Sequence, residues 1–187
     1  MGTQPQTGLV YDELQAFPED NFRREIIDGE LIVTAAPSTR HQGVVARLCA
    51  RLLLHAEEHG GLVYPAPTDV FFTESNVVEP DVVFVAEANF AKVEEKFVRS
   101  APDIVVEVSS PSTRRLELLR KRELYERFGV PEYWYVDLEA ERIELYRLTE
   151  GRYGLPLLME QDDFLTSPRI PGFSLQVAYI LGPAPSG

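Results

Sequence analysis

The sequence predicts an α/β domain, and three stretches support that prediction. Two apolar runs flank Asp28-Gly29, a pair typical of a type I′ β-hairpin because both turn positions need a positive φ. Apolar residues then recur at helical spacing from residue 39 onward, and Gly60-Gly61 ends that helix. Residues 102–128 predict a buried strand, a turn rich in Ser, Thr and Pro, and a second helix.

The other segments alternate between short strands and turns, and 187 residues fit one domain of residues 11–181. The polar ends, residues 1–10 and 182–187, are expected to be disordered. In chain order the pattern predicts a short helix within 11–20, a strand over 62–72 interrupted by prolines, a strand over 77–85, a helical turn around 92–96, strands over 133–136 and 142–148, and short β-like runs within 151–180.

Charge is distributed unevenly along the chain. The net charge of −12 argues against a surface that coats nucleic acid in general. Residues 110–129, however, hold six basic and three acidic side chains, a local charge of +3. This segment predicts phosphate contacts through Arg114, Arg115 and Arg120. The alternative is a solvated helix face with ion pairs between successive turns.

Neither a membrane span nor a disulfide is expected. No apolar run approaches the roughly 20 residues of a membrane helix, and no signal peptide is visible at the N-terminus. The single cysteine, Cys49, cannot form an internal disulfide. The sequence therefore predicts a cytoplasmic protein.

A charged pair interrupts two apolar elements of the stretch 102–128. Glu107 lies inside the β-branched run 104–108, where a carboxylate is costly to bury without a partner. On a helical wheel of about 100° per residue, Lys121 falls in the middle of the apolar face of the following helix. We therefore predict that Lys121 pairs with Glu107.

Asp81 adds a second carboxylate, at the entrance to the apolar half of the strand 77–85. Two carboxylates on adjacent strands suit a hard divalent cation, which polarises a phosphoryl oxygen and helps to generate hydroxide. A nearby lysine stabilises developing negative charge, or positions or deprotonates the attacking water. The pattern favours phosphodiester hydrolysis, and a buried structural ion network is the alternative.

An ordered set of motifs resembles the Uma2 family (DUF820), part of the PD-(D/E)XK, or restriction-endonuclease-like, nuclease superfamily. The resemblance covers roughly residues 11–181. Its main motifs are Glu79-Pro80-Asp81, residues 104–113, residues 121–125 and residues 129–137, with residues 25–30 and Arg40-His41-Gln42 in agreement.

The resemblance implies a restriction-endonuclease-like core, α-β-β-β-α-β, with a central mixed β-sheet flanked by helices and an N-terminal β-hairpin. It implies Asp81 and Glu107 as catalytic ligands of Mg²⁺ or Mn²⁺, with the carbonyl of Val108 as third ligand. Ser109 stands where the superfamily pattern has lysine. In this family the lysine has moved to the next helix, and Lys121 matches it.

Four further residues are weaker candidates. By resemblance, Tyr125 orients Lys121, with a core tyrosine as the alternative. Glu117 orients Lys121 or water, or only pairs with the lysine. Glu25 is an extra candidate whose alternative is a surface position on the hairpin. His41, in the first turn of its helix, is either a group near the active site or a polar residue at a helix start.

The leading hypothesis is a metal-dependent endonuclease that hydrolyses DNA, with a homodimer expected by analogy with the superfamily. The alternative is a catalytically silent nuclease-fold module that binds a protein or nucleic-acid partner, which the net charge of −12 favours over promiscuous cutting. The run Tyr133-Trp134-Tyr135 is either core or a dimer edge.

Overall fold

The computed structural model describes residues 8–18, 22–109 and 116–183. Predictions for residues 1–7, 110–115 and 184–187 lie outside these ranges, including those for Arg114 and Arg115. Two larger β-sheets, a two-stranded sheet and four α-helices make up the described residues. Within the same ranges, no helix is long and apolar enough to cross a membrane.

The helices differ widely in length. The α-helices are α1 (Tyr11–Gln15), α2 (Thr39–His59), α3 (Arg122–Arg127) and α4 (Val177–Leu181). A 3₁₀ turn covers Glu87–Lys92, and a π-helical segment, Leu116–Lys121, runs directly into α3.

The strands follow in chain order: β1 (Arg23–Ile27), β2 (Glu30–Thr34), β3 (Leu62–Pro65), β4 (Asp69–Thr73), β5 (Asn76–Val78), β6 (Val82–Val85), β7 (Phe97–Arg99), β8 (Ile104–Val108), β9 (Glu132–Asp137), β10 (Arg142–Thr149), β11 (Arg152–Tyr153), β12 (Leu157–Met159), β13 (Phe164–Ser167) and β14 (Ile170–Gln176). A seven-stranded sheet has the order β11-β10-β9-β8-β6-β3, with β12 also paired to β10. A five-stranded sheet has the order β2-β1-β5-β4-β7, and β13 pairs with β14.

The predicted α/β core is confirmed. The elements α2, β3, β6, β8, α3 and β9 follow one another in the order α-β-β-β-α-β. Strands β3, β6 and β8 pair antiparallel, and β9 joins β8 in parallel, so the central sheet is mixed. The N-terminal hairpin is also present, with φ values of 54° at Asp28 and 74° at Gly29.

The interruption predicted at Pro65 and Pro67 within 62–72 is present, whereas the single strand predicted over 77–85 is wrong. Each segment divides into two strands, and the halves join different sheets: β3 and β6 the central sheet, β4 and β5 the second. Pro65, Pro67 and Pro80 lie at or between the breaks and offer no N–H to a ladder. The chain therefore leaves the central sheet after β3 and returns to it at β6.

Two helical predictions also need correction. The turn expected around 92–96 lies earlier, over Glu87–Lys92, and Val93 and Val98 form a β-bridge instead. Residues 177–181, predicted within a β-like region, form α4. Both segments are short, so their periodicity cannot separate helix from strand.

Two hydrophobic cores lie on opposite faces of the central sheet. Val82, Phe84 and Trp134 face α2 in the first core. Val83 and Tyr133 belong to the second core, together with residues of α3 and of the five-stranded sheet, because successive strand residues point to opposite faces. The run Tyr133-Trp134-Tyr135 is fully buried. It is therefore core, and its alternative as a dimer edge is wrong.

We predict that Gly61→Ala destabilises the protein by about 2 kcal/mol, because overpacking a core costs that order of free energy. Gly61 has a φ of +136°, and a Cβ there would lie 2.7 Å from the buried Phe84 ring. Gly154→Ala is the control, since nothing lies within 4 Å of its Cβ position. Urea unfolding of both variants measures the difference, and equal losses of stability would contradict the prediction.

Candidate active site

Asp81 and Glu107 project from neighbouring strands onto the same face of the central sheet. Val82 of β6 pairs with Val106 of β8 in antiparallel register, so Asp81 is opposite Glu107. Side chains opposite each other in an antiparallel pair share a face, with Cβ atoms about 5 Å apart. Both carboxylates are buried, with 1% and 0% of their surface exposed. The fold thus brings two acidic groups together away from solvent.

The carboxylate of Asp81 accepts hydrogen bonds on both oxygens. Its Oδ2 accepts from the backbone N–H of Val108 at 2.8 Å and lies 3.0 Å from Nε2 of His41. Its Oδ1 accepts from Nη2 of Arg23 at 2.7 Å. Burial would raise the pKa of Asp81, but His41, the charge of Arg23 and the Val108 N–H together hold that pKa well below its usual range. Asp81 is therefore an anion in the folded protein.

His41 reaches Asp81 from the first turn of α2. The side chain of Ser38, the N-cap residue, accepts a hydrogen bond from the backbone N–H of His41 at 3.3 Å. The imidazole is buried, and its Nδ1 has no hydrogen-bond partner within the described part of the chain. The start of α2 thus directs one ring nitrogen at a carboxylate.

Glu107 is held through one oxygen. Its Oε1 accepts from Nζ of Lys121 at 2.8 Å and from the hydroxyl of Tyr125 at 2.5 Å. No donor among residues 8–18, 22–109 and 116–183 reaches Oε2. Burial raises the pKa of Glu107, and the charges of Asp81 and Glu25 add to that effect, whereas Lys121 opposes it. One buried carboxylate oxygen therefore remains available to a ligand.

Lys121 lies between two carboxylates at the end of the π-helical segment. Its Nζ is 2.8 Å from Oε1 of Glu107 and 2.7 Å from Oε1 of Glu25. Glu25, on β1, is 1% exposed and also accepts the backbone N–H of Glu79 at 2.8 Å. The surface alternative for Glu25 is therefore wrong. The hairpin closes the site from the side opposite the central sheet.

Arg23 is the site residue that the sequence did not indicate. It lies two positions before Glu25 on β1, so both side chains share a face of the strand. Besides its contact with Asp81, its Nε lies 3.9 Å from Oε2 of Glu79. Burial raises the pKa of Glu79 to about 7, and the charge of Arg23 opposes this. The only signal available in the sequence was the placement of Arg23 two residues before Glu25 on the predicted hairpin strand.

The remaining predicted residues are less directly involved. Arg120 pairs through Nη1 with Glu30 at 3.0 Å and donates through Nη2 to the carbonyl of Ile27 at 3.3 Å. Glu117 lies in the π-helical segment, but its side chain falls outside the described part of the structure. Arg120 is therefore anchored on the hairpin, beside the buried acidic groups.

The donor atoms of the site suit a hard cation. Among the described residues, no cluster of three or more His, Cys, Asp or Glu side chains is arranged to hold a metal ion. Mg²⁺, however, usually takes one or two carboxylates and keeps several waters. Oε2 of Glu107, buried without a donor, and the ionised Asp81 opposite it match that requirement. The arrangement fits Mg²⁺ or Mn²⁺.

Comparison with known proteins agrees with the fold and with the family resemblance of the motifs. The family model of Uma2, described as "Putative restriction endonuclease", matches residues 11–178. The chain belongs to the Uma2 family. The family resemblance of the sequence motifs is thereby confirmed, and with it the membership in a nuclease family.

A solved structure supports the same fold for this Uma2 family member. It is a protein from Anabaena variabilis described as "a putative nuclease belonging to DUF820". The TM-score is 0.77 at 16% identity, over 92% of this chain and 97% of that one. At this identity the likeness shows the shared fold. A search of the curated proteins found no matching protein.

We predict that Lys121→Met lowers the free energy of unfolding by about 3 kcal/mol, because Glu25 and Glu107 would then be buried without their shared cation. The matched control is Lys96→Met, at an exposed position, with an effect within about 0.5 kcal/mol. Guanidinium chloride unfolding followed by tryptophan fluorescence measures both. Increased stability in Lys121→Met would mean that the buried ion network costs more than it contributes.

Proposed function

We propose that this protein is a Mg²⁺- or Mn²⁺-dependent endonuclease that hydrolyses phosphodiester bonds of DNA. The supporting observation is the buried pair of Asp81 and Glu107 on adjacent strands, with Lys121 bonded to Glu107. The fold alone is compatible with many activities. Membership in a family described as "Putative restriction endonuclease" is the reason why we favour phosphodiester hydrolysis among them.

The two carboxylates supply the cation ligands in this proposal. Oε2 of Glu107 and Oδ1 of Asp81 would hold the ion, with the carbonyl of Val108 as the third protein ligand. When bound, the ion supplies positive charge that polarises a phosphoryl oxygen and helps to generate hydroxide. Tyr125 and Lys121 both bond Oε1 of Glu107, which directs the other oxygen toward the ligand. His41 fixes the orientation of Asp81 through Oδ2.

Lys121 assists the attack of water on phosphorus. Its ammonium is held by Glu107 and Glu25 at 2.8 and 2.7 Å, so little further ordering is needed during the reaction. A cation fixed in this way stabilises the negative charge that develops on the phosphoryl oxygens. Glu25 is a positioning residue for Lys121, and Glu117 is a second one in the preceding turn.

The basic segment 110–129 contacts the DNA backbone. Arg114, Arg115 and Arg120 are the proposed phosphate ligands, and their charge contrasts with the net −12 of the chain. Arg120 pairs with Glu30 at 3.0 Å, so it must exchange this carboxylate for a phosphate oxygen. Contacts to phosphate position a nucleic acid without reading its sequence.

Two further parts of the proposal concern the setting of the reaction. A homodimer, expected by analogy with the superfamily, would present one site to each strand of a duplex; light scattering coupled to size-exclusion chromatography measures the mass. The single Cys49, which cannot form an internal disulfide, is consistent with a reducing cytoplasm.

We predict that Asp81→Asn, Glu107→Gln and Lys121→Ala each reduce Mn²⁺-dependent nicking of supercoiled plasmid at least about 100-fold, the scale of losing a transition-state contact. Asp81→Asn and Glu107→Gln also lose Mn²⁺ binding in calorimetry. Asp103→Asn is the matched control: it alters a buried carboxylate on the loop leading into β8, whose hydrogen bonds within the described part of the chain go to the 86–89 turn. Cleavage by all three site variants would contradict the proposal.

The calorimetric measurement of Mn²⁺ binding distinguishes the endonuclease from the catalytically silent module. Mn²⁺ binding that depends on Asp81 supports the cation site before any substrate is known. Absence of Mn²⁺ binding in the wild-type protein, with or without oligonucleotide, contradicts the endonuclease and favours a module that binds a partner. Oligonucleotide is included because substrate phosphate completes the coordination of Mg²⁺ in many such sites.

A further inference from the structure

Arg23 contacts Oδ1 of Asp81, the carboxylate oxygen that neither the Val108 N–H nor His41 contacts. Oδ2 is fixed by the Val108 N–H and by His41. Oδ1 has Arg23 as its partner, at 2.7 Å from Nη2. The guanidinium therefore lies against the carboxylate oxygen that a divalent cation would use. Two cations cannot share that oxygen without strong repulsion, since like charges repel more strongly in a partly buried site than in water.

The position of Arg23 allows it to leave. Its side chain is 20% exposed, so it has a path to solvent, whereas Asp81 is 1% exposed. Its Nε also lies 3.9 Å from Oε2 of Glu79, which gives the guanidinium a second carboxylate one step nearer the surface. Arg23 therefore lies next to a second carboxylate that remains beside it if the contact with Asp81 is lost.

We propose that Arg23 is an internal counter-cation that occupies Oδ1 of Asp81 and moves off this oxygen when a divalent cation binds. Before that exchange, Arg23 stabilises a buried carboxylate that would otherwise be costly. During the exchange, it opposes cation binding and weakens the apparent affinity. This inference rests on the proposed cation site at Asp81 and adds the residue that controls its occupancy.

The exchange also places a guanidinium next to the bound ion. Arg23 is freed from Asp81 only when the ion is present, and a guanidinium matches the fork geometry of a phosphate group. The charge that protected Asp81 is then available to the substrate. Cation binding and phosphate binding are coupled through one side chain.

Calorimetry with Mn²⁺ alone tests the competition. Arg23→Gln removes the competing charge, and we expect it to bind Mn²⁺ at least about tenfold more tightly than the wild type. Arg24→Gln is the matched control, because Arg24 carries the same charge on the same strand but stacks on Phe17 and Phe22; we expect an affinity within about twofold of the wild type. Mn²⁺ should also raise the melting temperature of Arg23→Gln more than that of the wild type.

A second measurement uses the wild-type protein and does not depend on the folding of a variant. In an NMR titration with Mg²⁺, the side-chain Nε–H signal of Arg23, assigned by its loss in Arg23→Lys, should shift as the site fills. The Arg24 signal should stay in place.

The outcomes distinguish this inference from the proposed function. Tighter Mn²⁺ binding by Arg23→Gln than by the wild type supports the inference. Equal or weaker Mn²⁺ binding by Arg23→Gln overturns the inference about Arg23, as does an unmoved Arg23 signal at saturating Mg²⁺. In either case, loss of Mn²⁺ binding in Asp81→Asn still supports the cation site of the proposed function. Binding that persists in Asp81→Asn, or that is absent from the wild type and every variant both with and without oligonucleotide, overturns both proposals.

Discussion

The architecture depends on keeping two carboxylates, Asp81 and Glu107, ionisable inside a nearly dry sheet. Each has 1% or less of its surface exposed, so solvent cannot offset the cost of the charge. Separate elements meet that cost: α2 supplies His41, the hairpin supplies Arg23, and the segment before α3 supplies Lys121. These elements pack against the central sheet through apolar cores. Each of them also places one donor side chain at the acidic centre.

The central part of this arrangement could be predicted from the sequence because its signals are local. A carboxylate inside a β-branched run, and a lysine inside an apolar helical face, each break a pattern within one element. The two elements are adjacent in the chain and joined by a short predicted turn. The helical wheel placed Lys121 on the inward face, so its pairing with Glu107, at 2.8 Å in the structure, could be predicted. The α-β-β-β-α-β core followed from the resemblance, since the family motifs occur in the same order.

The contributions of the hairpin could not be predicted in the same way. Three consecutive charged residues, 23–25, indicate an exposed part of a two-stranded hairpin, and only tertiary packing buries Glu25 and half-buries Arg23. The second sheet escaped prediction for a related reason. Apolar periodicity shows that residues 62–85 form strands, but it carries no information on which sheet each strand joins. The prolines indicated where the strands end, but not which sheet the following strand joins.

The spacing of the site residues along the chain has a consequence for the timing of assembly. Arg23 and Asp81 are 58 residues apart, and Tyr125 follows Glu107 by 18. No fragment of the chain short of residues 23–125 contains all the contacts, and long sequence separations delay contact formation during folding. Chains that end before residue 125, or in which the hairpin has not yet packed, therefore lack part of the acidic centre. Any chemistry that needs the whole acidic centre is therefore confined to molecules in which residues 23–125 have completed the fold.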